Sequence, residues 1–458
     1  MTQTSRLSKK QIASRNRRKQ KLKAITLAIS ILLIVVAVAI GVIILIVKLG
    51  QVKEVKNFKL NPTTSSITIT WDVVQKDVSY ELLKKDEQGN YVLLEKISCD
   101  ENPSYTDASL LSATKYEYKI VTVKGEGDKA KKSAGKEASC YTLPLTPEGC
   151  SAVTESKNSL TISFNDDNSQ ASYEIKSSEN EDLSNATSIT ITHDQVTINS
   201  EKKSLNYIIS NLQEGKTYYF SIRAFVDKNI TSQWSEVFYG HVTRAVDMTG
   251  VDVNRPMVAI TYDDGPGPGN ITARIIEAFK KAGGHATFFQ LGNRAEGYPD
   301  QMKLMVSNGH EIGCHTYDHV HMGAAVTAND IISANDAIER SCGVRPTVFR
   351  SPGGETTDLI RSVCLQEGIP VIQWNEDTKD WQSRNADSVC SEIQSNVADG
   401  NIILLHNIYD SSAEATERIL PWLVEQGYQL VTVSQLIQAK TGAPPEPGIQ
   451  YYTATFTK

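Results

Sequence analysis

Residues 24–47 form one uncharged run, AITLAISILLIVVAVAIGVIILIV, and no other feature of this chain restricts its fold so sharply. A helix rising about 1.5 Å per residue over that length crosses a hydrocarbon core of roughly 30 Å. Arg6, Lys9, Lys10, Arg15, Arg17, Arg18, Lys19, Lys21 and Lys23 precede it, with no acid among them. Basic flanks stay on the cytoplasmic side, so the pattern predicts a single-pass anchor at the cell membrane, with its N-terminus inside and everything after residue 47 outside. The rival is a cleavable signal peptide, whose apolar region is shorter and is followed by a small-residue cleavage site. Here Ala37-Val38-Ala39 lies inside the run, with eight uncharged residues behind it. Removing the nine positive charges of residues 1–23 takes the formal net charge of the remainder from −6 to −15. So acidic a body argues against nucleic acid as a partner.

At 458 residues the chain is long enough for about three domains. Its seven cysteines sit where disulfides are permitted, but the odd count leaves at least one thiol unpaired. No C-x-x-C occurs, so cysteine ligation of a metal is not expected, and most of these cysteines read as small buried apolar groups.

Residues 52–245 alternate with period two and repeat once. Ile67, Ile69 and Trp71 alternate with polar neighbours, as do Leu160, Ile162 and Phe164. Ser79-Tyr80-Glu81-Leu82 is echoed by Ser172-Tyr173-Glu174-Ile175, and a segment from Leu110 to Tyr116 by one from Leu212 to Tyr218. Turn signals between short strands predict two β-sandwiches, at 52–143 and 145–245, joined at Leu143-Pro144-Leu145-Thr146-Pro147. The copies resemble fibronectin type III domains, which implies a spacer or binding role and a corner tyrosine (Tyr116, Tyr218) whose hydroxyl turns back to nearby backbone.

From residue 254 strands and helices alternate. Strands are expected near 256–262, 286–289, 311–314, 347–350, 371–374, 402–405 and 429–433, and helices at 271–281, 328–340 and 358–367. That alternation implies a parallel sheet, open or closed into a barrel, with seven strands where eight are usual. Residues 441–458 are left as a Pro-rich link and tail.

The strand ends carry polar groups, where parallel α/β folds build sites. Asp263-Asp264-Gly265 follows the first strand; alone it reads equally as a surface turn. His315-x-x-x-His319 follows the third. Two histidines four apart fall on one face of a helical turn, close enough to share a metal, or serve structure only. Two imidazoles and a carboxylate would suit Zn²⁺ or another divalent first-row ion with open positions. Arg350-Ser351-Pro352-Gly353-Gly354, Asp377-Thr378-Lys379-Asp380-Trp381 and Leu404-Leu405-His406 end three more strands. Singly these read as an ion-pairing arginine, a solvated acidic loop and a core histidine.

Together, in this order, the five motifs over 254–440 resemble the polysaccharide deacetylase family, also called the NodB homology domain or carbohydrate esterase family 4. The resemblance implies a distorted, incomplete (β/α) barrel and a hydrolase for carbon–nitrogen bonds other than peptide bonds. It implies Asp263 as general base, Arg350 as the partner that keeps it ionised, and Asp264, His315 and His319 as ligands of one divalent ion, zinc first, cobalt or nickel as alternates. It implies His406 as general acid, oriented by Asp380, and Trp381 and Leu404 as pocket walls. The N–H of Gly353 would face the developing oxyanion. The family pattern is not met everywhere. Gly353 stands for an aromatic, Tyr262 for Phe, Val320 for Pro and Asn407 for Asp, which puts the sugar contact at Gly353 in doubt. His321 is an extra ligand or a rim residue.

An anchored enzyme outside the membrane meets wall glycan first, so the expected reaction is N-deacetylation of N-acetylglucosamine in peptidoglycan. Chitin-like oligomers, poly-N-acetylglucosamine or acetylated xylan are alternatives. A non-catalytic wall-binding or adhesion protein is a third, weakened by the complete set of site residues.

Overall fold

The computed structural model describes residues 9–49, 51–99, 103–165, 167–168, 171–199 and 204–454. The chain divides into two compact units at Leu143/Pro144, within the predicted joint. Residues 1–8 of the basic segment and 455–458 of the tail lie outside the described residues.

In the first unit a helix spans Lys9–Leu49. It is long and apolar enough to cross a bilayer, and Leu32, Leu33 and Ile34 each stay more than 60% exposed, so no protein core claims them. This fits a single-pass anchor or a signal sequence. The sandwich that follows has a three-stranded sheet of Lys56–Pro62, Ser66–Asp72 and Ser104–Ala108 facing a five-stranded sheet built around Lys115–Lys124. The alternation is realised: Ile67, Ile69 and Trp71 are buried while their neighbours are not. Trp71 meets Tyr80 edge-to-face at 5.3 Å. The Tyr116 hydroxyl accepts from the Leu111 N–H at 3.0 Å.

The second unit opens with the repeat. Phe164 meets Tyr173 edge-to-face at 4.8 Å, and Tyr218 accepts from Gln213 N–H at 3.1 Å, so both corner tyrosines reach five residues back. Its sheets are built around Ser159–Asn165 and Thr217–Asp227.

The rest of this unit is an incomplete barrel of nine parallel strands. They are β1 Met257–Asp263, β2 Thr287–Gln290, β3 Glu311–Cys314, β4 Val348–Phe349, β5 Val371–Ile372, β6 Glu376–Asp377, β7 Ile402–His406, β8 Gln429–Leu430 and β9 Gln450–Tyr451. The order is β6-β7-β1-β2-β3-β4-β5-β9, with β8 pairing β1. Two strands exceed the expected seven. Each of these, β6 and β9, is only two residues long, too short to show a period. β9 comes from the stretch left as a tail, and it packs Tyr451 into the barrel interior beside Met257, Phe289 and Ile372.

All seven residues of β1 are buried, because both faces of a parallel strand are covered. Met257 and Ala259 face the interior; Val258, Ile260 and Tyr262 face the helical layer. The helix Ile271–Ala282 answers with Ile275, Ile276 and Phe279, spaced to share one face. All seven cysteines are unpaired; Cys314, Cys364 and Cys390 are buried and the other four only half-buried, so most are not core residues as expected.

Within this unit the second sandwich is joined to the barrel by buried polar groups. Glu367, fully buried, accepts from Tyr239 Oη at 2.8 Å, Arg345 Nη2 at 2.5 Å and Asn335 Nδ2 at 2.8 Å. Gln366 Nε2 donates to the carbonyls of Ala152 and Tyr239.

Candidate active site

The carboxyl ends of β1, β3, β4 and β7 converge with the residue that follows β6. Asp263 is the last residue of β1 and pairs in register with His406, the last residue of β7. Neighbouring strands lie about 4.8 Å apart, so the two side chains start from adjacent positions.

Arg350 is fully buried and fastens Asp263 from below. Its Nη1 donates to Asp263 Oδ1 at 2.8 Å and to Thr261 Oγ1 at 2.7 Å, while Nε and Nη2 reach the carbonyls of Ile372 and Gln373. The guanidinium lies 4.0 Å from the centroid of Phe289. Burial pushes its pKa down and Asp263 pulls it back up. Thr261 was not foreseen: its hydroxyl also donates to Ile403 O at 2.8 Å and so ties β1, β7 and Arg350 together.

Asp264, His315 and His319 bring one ligand atom each to within 4.8 Å of one another. Asp264 Oδ1 lies 3.6 Å from His315 Nε2 and 3.7 Å from His319 Nε2. The same Oδ1 is buried without a hydrogen-bond partner among the described residues. His315 Nδ1 sits 2.8 Å from the carbonyl of Arg350, which fixes Nδ1 as the protonated nitrogen and leaves Nε2 a lone pair. Burial drives the His315 pKa down, against Asp263 and Asp264, so the ring is neutral as a ligand must be. An uncompensated buried oxygen facing the Nε2 atoms of two imidazoles fits a divalent cation.

The expectation of a helical turn for the histidines is corrected. Residues 315–322 form an irregular loop. Thr316 and His319 take left-handed backbone, φ 72° and 61°, as does Asp264 at 70°. A helix would need right-handed dihedrals at both positions. Three non-glycine residues held this way in or beside the ligand set carry backbone strain of about 1–3 kcal/mol each, which the surrounding packing must hold.

His406 is clamped by fully buried Asp380. Nδ1 meets Asp380 Oδ1 at 2.8 Å, and the His406 N–H donates to Oδ2 at 2.8 Å. Trp381 N–H and Ser412 Oγ supply the other donors. Burial pushes the His406 pKa down, but the hydrogen bond and charge of Asp380, helped by Asp263 and Asp264, leave it raised. The Ser412 contact, on a helix 32 residues from Asp380, had no sequence signal.

Trp381 is half exposed at 49%, and Leu404 is buried in β7. Gly353 is exposed with φ 75°, and a Cβ there would meet Met322 Cε at 3.3 Å. His321 stands apart from the ligand cluster and pairs with Asp330 at 3.0 Å. Asn407 is fully buried and donates to Gln290 Oε1 at 3.1 Å. Its amide lies where a Cβ on Gly265 would stand, so the loop after Asp264 needs glycine.

A family model described as polysaccharide deacetylase matches residues 250–372, and one for the fibronectin type III domain matches 145–241. Peptidoglycan-N-acetylmuramic acid deacetylase PdaC of Bacillus subtilis is 40% identical over 193 residues, 42% of this chain and 40% of that protein. Peptidoglycan-N-acetylglucosamine deacetylase PgdA of Listeria monocytogenes is 33% identical over 201 residues, 43% of this chain and 41% of that protein. This chain thus spans about two fifths of the length of both. A peptidoglycan-N-acetylglucosamine deacetylase of Bacillus cereus is 33% identical over 195 residues, 41% of this chain and 91% of that protein.

Proposed function

This chain belongs to the polysaccharide deacetylase family, and from that we propose that it removes N-acetyl groups from N-acetylglucosamine units of peptidoglycan outside the cell. One observation carries the reading: a carboxylate held by a buried arginine (Asp263–Arg350) pairs in register with a histidine held by a buried carboxylate (His406–Asp380). Asp263 Oδ2 also lies 3.7 Å from His315 Nε2, next to the Asp264–His315–His319 cluster.

Amide hydrolysis needs a water stripped of a proton, a polarised carbonyl and a proton for the departing nitrogen. Asp263 is the base: with Oδ1 engaged by Arg350, Oδ2 is the oxygen turned toward the triad and takes the proton of the attacking water. His406 is the acid: Asp380 holds Nδ1, so Nε2 gives its proton to the amine as the carbon–nitrogen bond breaks. Water and amide become acetate and a free amine. Arg350 and Asp380 position these two groups, and the Gly353 N–H is the backbone donor for the oxyanion. Asp264, His315 and His319 would hold one divalent ion, Zn²⁺ first and Co²⁺ or Ni²⁺ as alternates, which supplies Lewis-acid polarisation of the carbonyl and acidifies water. The basic residues before the apolar helix support a single-pass anchor with the barrel outside.

The test is acetate release by the full chain in detergent with Zn²⁺, assayed on peptidoglycan, chito-oligomers, poly-N-acetylglucosamine and acetylated xylan. Release from peptidoglycan is expected to be fastest. Release confined to another glycan would replace the substrate, and none from any would return the chain to a wall-binding role.

A further inference from the structure

The barrel contains nine arginines, and most are accounted for by acids. Arg274, Arg340, Arg345, Arg350 and Arg418 each pair with a carboxylate, while Arg255 and Arg361 donate to a carbonyl and an amide oxygen. Arg294 and Arg384 have no acid in ion-pair range among the described residues. Arg384 lies on the ring of Tyr409, three residues past His406, and Arg294 comes close to the neighbouring Ile408.

The ring of Tyr409 is 5.8 Å from that of His406. Arg384 lies flat on Tyr409, with Cζ 3.4 Å from the ring centroid, and its Nε donates to Trp381 O at 2.7 Å. Stacking occupies a face of the guanidinium and leaves its in-plane donors free. With Nε used, the two terminal nitrogens remain, and Arg384 is exposed. Its backbone is left-handed, φ 49°, a conformation costly for a non-glycine residue. Arg294 Nη1 lies 3.8 Å from where a Cβ on Gly267 would stand, and Ile408, the residue before Tyr409, comes within 3.6 Å of the same point. The topology explains the meeting: Arg384 follows β6, Tyr409 β7, Gly267 β1 and Arg294 β2, four neighbouring strands. Burial raises the Tyr409 phenol's pKa; Arg384 and Arg294 act to lower it and Asp264 and Asp380 to raise it, so the phenol stands in the field of both arginines and of the site's acids.

We propose that Arg384, with Arg294 on the same group of strand ends, forms a carboxylate-recognising subsite next to His406, so that the enzyme works on N-acetylated amino-sugar chains bearing acidic groups in preference to neutral ones. Two guanidinium groups with no acid partner among the described residues, on the strand ends that also carry Asp263, Asp264 and Asp380, offset the repulsion an anionic substrate would otherwise meet. A guanidinium edge matches a carboxylate with two parallel N–H···O bonds, which an ester or amide cannot reproduce. This inference rests on the deacetylase reading above and names which substrates that site selects.

The test uses the full chain in detergent with Zn²⁺ and two oligosaccharides of one length. One carries ether- or peptide-linked carboxylates; in the other the same carboxylates are converted to methyl amides. The wild type is expected to prefer the free acid by about tenfold or more in kcat/KM, the range of one or two charge-assisted hydrogen bonds. That ratio is expected to fall in Arg384→Gln and in Arg294→Gln, to approach one in the double variant, and to survive in part in Arg384→Lys. It is also expected to shrink with added salt. Equal rates on acid and amide in the wild type would overturn the proposal. So would an Arg384→Gln protein that folds normally and loses the same factor on both, since that is what a purely structural arginine does. Acetate from neither substrate would overturn the deacetylase reading itself and the inference with it.

Discussion

Asp263 and Arg350 meet at 2.8 Å with side chains 3% and 0% exposed, so bulk solvent screens this contact little. Breaking such a pair from one side strands the other charge, which costs about 3–5 kcal/mol. Arg350→Met is therefore expected to lower unfolding stability by that order and acetate release by at least about 100-fold. Urea denaturation and initial rates check this together; a variant with wild-type midpoint and rate would contradict the assignment.

In the proposed metal site Asp264 would supply the one anionic ligand atom. Asp264→Asn keeps the shape and removes the charge, and is expected to weaken Zn²⁺ binding by about 100-fold or more, since even partners behind the ligands are worth 10–100-fold. Calorimetric titration of the metal-stripped chain reads this without turnover. Zn²⁺ at about 100 times its Kd should also stabilise the wild type by about 2.7 kcal/mol and the variant far less.

His406 has its pKa raised above 6.5 because Asp380 outweighs the effect of burial. A general acid works in its protonated form, so activity is expected to fall on the alkaline side as pH passes that raised value. Asp380→Asn is expected to move this limb to lower pH as well as lower the rate; an unmoved limb would assign it to another group. The sign for stability is the same. The pair contributes fully below the unfolded histidine value of about 6.5 and is lost as pH rises through the folded one.

Tyr239 and Glu367 link the second sandwich to the barrel. Tyr239→Phe removes one hydrogen bond to a buried carboxylate and is expected to cost about 1.5–3 kcal/mol. Hydrogen exchange should show the strand Phe238–His241 and the helix Asp358–Gln366 losing protection together. Loss confined to the sandwich would mean that the two open separately.

Much of this was legible in the chain because the chemistry sits at the ends of apolar strands. Asp263, Asp264, Arg350 and His406 each follow a hydrophobic run and meet in space. The loop of His315 and His319 was misread as helical because four-residue spacing says nothing about backbone handedness, and Thr316 and His319 adopt values that local preference disfavours. β9 was invisible because two residues carry no periodicity. Gln366 and Glu367 close the helix expected at 358–367, and only the fold brings Ala152 and Tyr239 onto them. Arg384 and Arg294 lie 90 residues apart, and no pattern joins them before β6, β7, β1 and β2 are laid side by side.

The buried carboxylate of Glu367 also bears on how this protein is trimmed. A recombinant piece started at residue 250, where the deacetylase match begins, would uncover that acid on a face shaped for another domain and deprive Gln366 of both its acceptors. The natural cut for a catalytic fragment is near residue 144, ahead of the second sandwich, which shares one compact unit and a buried polar contact with the barrel.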